Sequence, residues 1–373
     1  MSDSVFPPGA IDLHPVCLLP SPDRPAAIWL AVWPSAVDGF TDPRDAGLAI
    51  AEAARLLARD TTVAVVARPG DLADASMRCG AGVRVSSWGG SLRCFADRLP
   101  MMGHGPDGRP LALDWAPPSD AAGGAAIDHD PDCDITARLL GLGGHGEAAA
   151  AMRALAPVAG RAQMIAGDGH GMVVASEALL ATADPDARAA VADLLCRSLD
   201  AERVIWVPGG FSEDDWPGSL DGVVRFLAPG VVAVATAIDG DPDQPALHET
   251  RLRLEVTTQP DGRLLTVVPV PLPRKRPRSE DGRLLPASYL SLLRDGRRLV
   301  VPAFDDGNDD VALRLLSRAL PAAAIEQVSC RALAGYGGLA RLAVALPQAP
   351  ALNAATIAAA MTASGGPVPQ PGA

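Results

Sequence analysis

The residues of this 373-residue chain that could do chemistry fall into a few groups, most of which lack the context their chemistry needs. Gly141-Leu142-Gly143-Gly144-His145-Gly146 has the literal spacing of a loop that cradles a dinucleotide pyrophosphate. Such a loop must leave a strand and open a helix, so that backbone N–H groups and the helix dipole face the phosphates. Here it follows Ile135 to Leu140, whose pattern is helical, so it reads as a helix C-terminus and loop. The acidic run Asp128 to Asp134 offers carboxylates to a hard cation, but Pro131 interrupts it and nothing sets ligand spacing. It reads as a solvated loop that ends in the N-cap of the next helix. Asp305, Asp306, Asp309 and Asp310 precede a helical pattern and suit the positive end of its dipole. Six cysteines (Cys17, Cys79, Cys94, Cys133, Cys196, Cys330) are scattered with no C-x-x-C pair, against a zinc site or a disulfide framework. None of the six histidines pairs with Ser, Cys or Asp in a nucleophile-type signature, and neither a metal nor a cofactor is called for.

The scaffold that must position any such residues is globular. Hydrophobic residues make up 48% and charged residues 20%, enough for a packed core and too little charge for a disordered chain. A formal charge of −12 repels phosphate backbones, which argues against a nucleic-acid partner. Of the 32 basic residues only Lys275 is a lysine, a coding bias rather than chemistry. No apolar run approaches the ~20 residues of a membrane span. The first twenty residues carry Asp3 and Asp12 without a basic start or an apolar stretch, unlike a signal peptide. A reduced, cytoplasmic protein is expected.

Short apolar segments flank turns at Asp107-Gly108, Asp168-Gly169, Pro229-Gly230 and Asp295-Gly296, whose glycines stand 61, 61 and 66 residues apart. A helical stretch and another apolar run follow. The clearest case predicts strands over Tyr289–Leu293 and Leu299–Phe304, a helix over Asp309–Ala319 and a strand over Ala324–Val328. Another unit predicts Val173–Ala175, a helix over Pro185–Ser198 and a strand over Arg203–Val207. The first predicts a helix over Pro43–Ala58, with Asp42 as N-cap and Pro43 at N1, then a buried strand over Thr61–Ala67. About five α/β units favour a closed circular array, which leaves no exposed edge and puts a pocket at its centre. The expected organisation is an extension over residues 1–20, one α/β domain over 21–363 and a disordered Pro/Gly-rich tail over 364–373. The basic run Pro271 to Arg283 reads as a solvated connector.

Several segments in order resemble the agmatine deiminase family, close to the bacterial peptidyl-arginine deiminases of the pentein superfamily. They are Trp29-Leu-Ala-Val-Trp-Pro34, Cys94-Phe-Ala-Asp-Arg-Leu-Pro100, Asp168-Gly169 through Leu180, and Val204-Ile-Trp-Val-Pro-Gly209. Gly218-Ser-Leu-Asp221, Val224-Arg-Phe226 and Pro229-Gly230 follow, then Ala287-Ser-Tyr289, Val301-Pro302, Asp310 and Gly337-Gly-Leu-Ala-Arg-Leu342. The resemblance covers most of the chain and implies a five-bladed α/β propeller around a central pocket. It also implies a chemistry: a cysteine thiolate attacks a guanidinium carbon and expels ammonia, and water then hydrolyses the amidino-thioether. Carboxylates hold the guanidinium and a histidine moves protons.

Carried over position by position, the resemblance keeps the carboxylates Asp97 and Asp221. It puts Arg161 where the family has a glutamate, Ser219 in place of the histidine and Arg341 in place of the cysteine. An arginine cannot substitute for a thiolate, so no catalytic residue is expected and the covalent route is absent. The leading expectation is a catalytically silent family member that acts by binding or as a regulatory partner of an active relative. One alternative is a hydrolase that uses Asp97 and Asp221 on a guanidino compound without cysteine. Another is an interaction protein with a closed pocket. The partners to consider are a small guanidino or anionic ligand, a second copy, or an active deiminase in a hetero-oligomer. Arg341 is expected to place its own guanidinium near Asp97 or Asp221 and plug the pocket.

Overall fold

A computed structural model describes residues 17–26, 28–89, 100–105, 110–115, 153–155, 159–180 and 185–346. The described residues fold as a mixed α/β protein with five sheets. The first holds β1 (Ile28–Val32), β2 (Thr62–Ala67) and β3 (Arg84–Ser87), all parallel. Helices α1 (Pro43–Leu57) and α2 (Leu72–Cys79) make the crossovers that parallel strands require. The second sheet pairs β4 (Met101–His104) antiparallel with β5 (Pro110–Asp114), and β5 parallel with β6 (Arg153–Leu155).

The same order then recurs. β7 (Ile165–Gly167) pairs antiparallel with β8 (Met172–Ser176), α3 (Pro185–Leu199) crosses over, and β9 (Arg203–Val207) runs parallel to β8. The fourth sheet repeats this with β10 (Val224–Ala228), β11 (Val231–Thr236), α4 (Gln244–Glu255) and β12 (Thr266–Pro271). The fifth repeats it with β13 (Leu293–Asp295), β14 (Arg298–Ala303), α5 (Asp309–Ala319) and β15 (Ala324–Ser329). Finally β16 (Ala343–Leu346) returns to pair antiparallel with β1, which joins the two ends of the described fold in one sheet.

Local chemistry explains these elements. The Asp42 carboxylate accepts the Asp45 N–H at 3.2 Å and Pro43 opens α1. That helix then buries Ala46, Ala49, Ile50, Ala53 and Leu57 at helical spacing. The middle strands read as unbroken apolar runs (Val-Val-Ala-Val-Ala in β11) because both their faces are covered. The turns at Gly169, Gly230 and Gly296 all have positive φ, and two hydrogen bonds tie them to one another or to the segment leading into β1. Asp168 Oδ2 accepts the Gly230 N–H at 3.3 Å, and Asp295 Oδ1 accepts the Ala26 N–H at 2.7 Å.

Two expectations need correction. Tyr289–Leu292 is a buried turn, and only Leu293–Asp295 is strand. Ser288 Oγ donates to Gly222 O at 2.6 Å and Ser291 Oγ donates to Gly337 O at 2.8 Å, so hydroxyls fasten the segment where a strand partner would have. The basic connector is only partly solvated: the Arg276 side chain is 3% exposed and bonds Asp243 Oδ2 at 2.6 Å. α2 is an addition to the expected elements, and the helical stretch expected after the Gly230 turn is α4, which is largely polar and buries only Leu247, Thr250 and Leu254. The Asp107-Gly108 turn, the 128–134 and 141–146 motifs and the 364–373 tail lie outside the described residues. Among the described residues no helix is long and apolar enough to cross a membrane.

Candidate functional site

Two segments distant in sequence build the site: the loop 208–222 between β9 and β10, and the segment 331–342 between β15 and β16. The second begins with a tight helical turn, Arg331–Tyr336, closed by Gly337 in the left-handed conformation, φ +78°. The Ser291 hydroxyl then accepts the Ala340 N–H at 3.1 Å. These bonds set the backbone of Arg341, whose side chain is 2% exposed. Its guanidinium lies against Gly337, where a Cβ would collide with Nη1 and Cζ. Only glycine satisfies both that contact and the φ.

The guanidinium is gripped by the first loop. Arg341 Nη1 donates to Asp214 Oδ1 at 3.2 Å and Nη2 to Asp214 Oδ2 at 3.1 Å, a two-pronged pair with a carboxylate only 1% exposed. Nη2 also donates to Ser219 Oγ at 2.9 Å, and Cζ lies 4.2 Å from the Trp216 ring centroid. Asp214 Oδ1 also accepts the Trp216 N–H at 3.2 Å, which helps hold the loop's own turn. Along Glu213–Trp216 Asp214 and Trp216 are buried while Glu213 and Asp215 are exposed, and Pro217, although exposed, borders the cavity.

Arg341 and Ser219 are therefore in direct contact, and Asp221 is their neighbour. Asp221 Oδ2 lies 4.0 Å from Arg341 Nε, and neither atom has a hydrogen-bond partner among the described residues. Asp221 Oδ1 accepts from Arg225 Nη2 at 3.4 Å. Arg161 lines the same cavity with Gln163, Met164, Trp216, Ser219 and Arg341, and it has no carboxylate partner among the described residues. Asp97 lies outside the described residues. Asp214 and Trp216, the strongest partners of Arg341, were not singled out from sequence. The available signal was the acidic triplet Glu213-Asp214-Asp215 beside a tryptophan, which does not tell which carboxylate turns inward.

The cavity is filled: beside the guanidinium there is no space for a water molecule, and its described lining holds neither cysteine nor histidine. The buried thiols elsewhere are held protonated. Burial pushes Cys17 up to about 12 and Cys79 up to about 11, and it raises Cys330, which is fully enclosed. Among the described residues no group of three His, Cys, Asp or Glu side chains could hold a metal ion. What the arrangement does chemically is recognise a guanidinium, and the guanidinium it holds is its own.

The Porphyromonas-type peptidyl-arginine deiminase family matches the chain over residues 20–342. The structure of the agmatine deiminase of Enterococcus faecalis is similar, with a TM-score of 0.73 at 21% identity over 89% of this chain and 96% of that one. The agmatine deiminase of C. jejuni gives a TM-score of 0.70 at 17% identity, covering 88% and 96%. In sequence, the "Putative agmatine deiminase" of Selenomonas ruminantium is 30% identical over 192 residues, 46% of this chain and 52% of that one. The chain thus spans about half the length of the curated relatives it matches.

Proposed function

The chain belongs to the Porphyromonas-type peptidyl-arginine deiminase family, and from that premise we propose that it is a catalytically silent member whose central site is occupied by its own arginine. One observation carries the reading. Arg341, at the position the resemblance assigns to the nucleophilic cysteine, is buried with its guanidinium on Asp214, Ser219 and the face of Trp216. Covalent deimination needs a thiolate to attack the guanidinium carbon and a base to move protons. A buried, salt-bridged arginine does neither, and it takes the place a substrate guanidinium would need.

In this reading the five sheets stand as five blades around the site. The recurring strand order supports it, as do the contacts of β7 with β10 and of β16 with β4. The filled cavity favours action through the protein surface, on a second copy or an active relative, over action through a small ligand in the pocket.

Purified protein should release no ammonia from agmatine, free arginine or an arginine-containing peptide. Turnover that survives Cys94→Ala and Cys330→Ala would overturn the reading in favour of a cysteine-independent hydrolase. For the partner role, co-expression with an intact deiminase should give a mixed oligomer on size-exclusion chromatography.

A further inference from the structure

The outer face of the loop 208–222 is also held, by a segment that contributes nothing to the described lining of the cavity. Residues 272–286 connect β12 to the buried Tyr289 turn and lie across that loop. The segment's base is fastened to the residues before α5. The Arg274 and Lys275 N–H groups both donate to the Asp306 carboxylate at 3.0 Å, and Arg274 Nε donates to Asn308 Oδ1 at 3.0 Å. Its far end is a small exposed hairpin in which the Ser279 N–H donates to Arg283 O at 3.0 Å.

Between these ends it touches the loop at three places. The Leu284 N–H donates to the Glu213 carboxylate, and Arg283 Nη1 pairs with Asp215 Oδ1 at 3.0 Å. Arg276 Nη1 binds Asp243 Oδ2 at 2.6 Å, and Asp243 Oδ1 accepts the Ser212 N–H at 2.7 Å, while Arg276 Cζ lies 5.1 Å from the Phe211 ring centroid. The three successive carboxylates thus have divided tasks: Asp214 grips Arg341 inside, while Glu213 and Asp215 grip the crossing segment outside. At both ends the loop turns on left-handed glycines, Gly209 and Gly210 (φ +71° and +79°), then Gly218 and Gly222 (φ +78° and +81°).

We propose that residues 209–222 form a hinged lid over the Arg341 guanidinium and that residues 272–286 are the strap that keeps it shut, so that displacing the strap opens the site. The inference rests on the reading of a site closed by Arg341. Hinged loops of this kind absorb their motion at a few terminal residues. Here the outward fastenings at Glu213 and Asp215 are exposed and separable, whereas Arg276–Asp243 and the inward grip on Arg341 are buried. A partner that displaces the strap would therefore free Trp216 and Asp214 without entering the cavity.

Hydrogen exchange followed by mass spectrometry on the full chain tests this. In the Glu213→Gln, Arg283→Ala double variant, amides of residues 211–220 should exchange about tenfold faster, while those of β8 and β14 keep their rates. Arg276→Met, which also lowers global stability, should raise exchange over 211–220 more than in β8 and β14; if that variant fails to fold, the exposed double variant decides. Unchanged exchange over 211–220, or an equal rise in every sheet, would overturn the proposal. Ammonia release bears only on the silent-site reading, so the two can fail separately.

Discussion

Two buried arginines flank one short loop, and they are built differently. Arg276 touches the loop through Asp243 and the Phe211 ring, and all three of its nitrogens have acceptors. Nη1 serves Asp241 and Asp243, while Nε and Nη2 both reach Leu285 O. Arg341 touches it through Asp214, Ser219 and Trp216, yet among the described residues its Nε has no hydrogen-bond partner and faces an equally unpartnered Asp221 Oδ2 at 4.0 Å. A buried polar atom left without a partner costs roughly 1–3 kcal/mol. Arg276 is therefore fully paired, whereas Arg341 keeps one polar atom without a partner among the described residues, as Arg225 and Arg294 also do.

The largest test of this contrast is Arg276→Met. It strands the Asp243 carboxylate, which is 2% exposed, and should lower unfolding free energy in urea by about 3–5 kcal/mol. A loss under about 1 kcal/mol would erase the distinction. Arg341→Met strands Asp214 but also removes the unbonded Nε, so its cost should be smaller, about 3 kcal/mol. Adding Asp214→Asn in the same chain should recover most of that loss, because no carboxylate then remains buried without a partner.

Gly337→Ala sharpens the contrast from the backbone side, since a methyl there meets the guanidinium at a φ of +78° and should cost about 2 kcal/mol by the same measurement. Among the described residues no glycine stands over Arg276 in this way, so an alanine at the exposed Gly282 turn should cost less.

The buried thiols predict a pH effect of definite sign. Cys17, Cys79 and Cys330 stay protonated in the folded protein above the pH at which unfolded thiols ionise, because burial raises all three. Their contribution is complete below about pH 9 and falls as pH rises toward 11 and 12. The loss is about 0.4 kcal/mol per thiol at pH 9, and denaturant curves at stepped pH should show it. The same thiols should resist iodoacetamide at pH 8 in the folded chain. The smallest effect belongs to the exposed pair: Arg283→Ala should leave the urea midpoint of global unfolding unchanged, even as exchange over 211–220 rises.

Much of the fold was legible because it is local. Asp42 and Pro43 mark the start of α1, the 309–319 pattern coincides with α5, and the regularly spaced glycines locate the hairpin turns of β7–β8, β10–β11 and β13–β14. Tyr289–Leu292 was misread because its apolar residues suit a strand and a buried hydroxyl-bonded turn equally well. Arg276 was misread because a run of basic residues carries no sign of which one will meet carboxylates 33 and 35 positions away.

Arg341 and Ser219 could be singled out only because the resemblance aligned them with a nucleophile and a proton carrier. The substitutions themselves exclude thiolate chemistry at that position, since no fold can make an arginine a sulfur nucleophile. That Arg341 would turn inward, choose Asp214 over Asp221 and fill the cavity depended on closing a contact across 127 residues of chain. Residue types and local periodicity determine which groups exist and which elements carry them. Which charge is desolvated, and against which partner, is decided only when distant segments pack and exclude the water that would otherwise solvate each group alone.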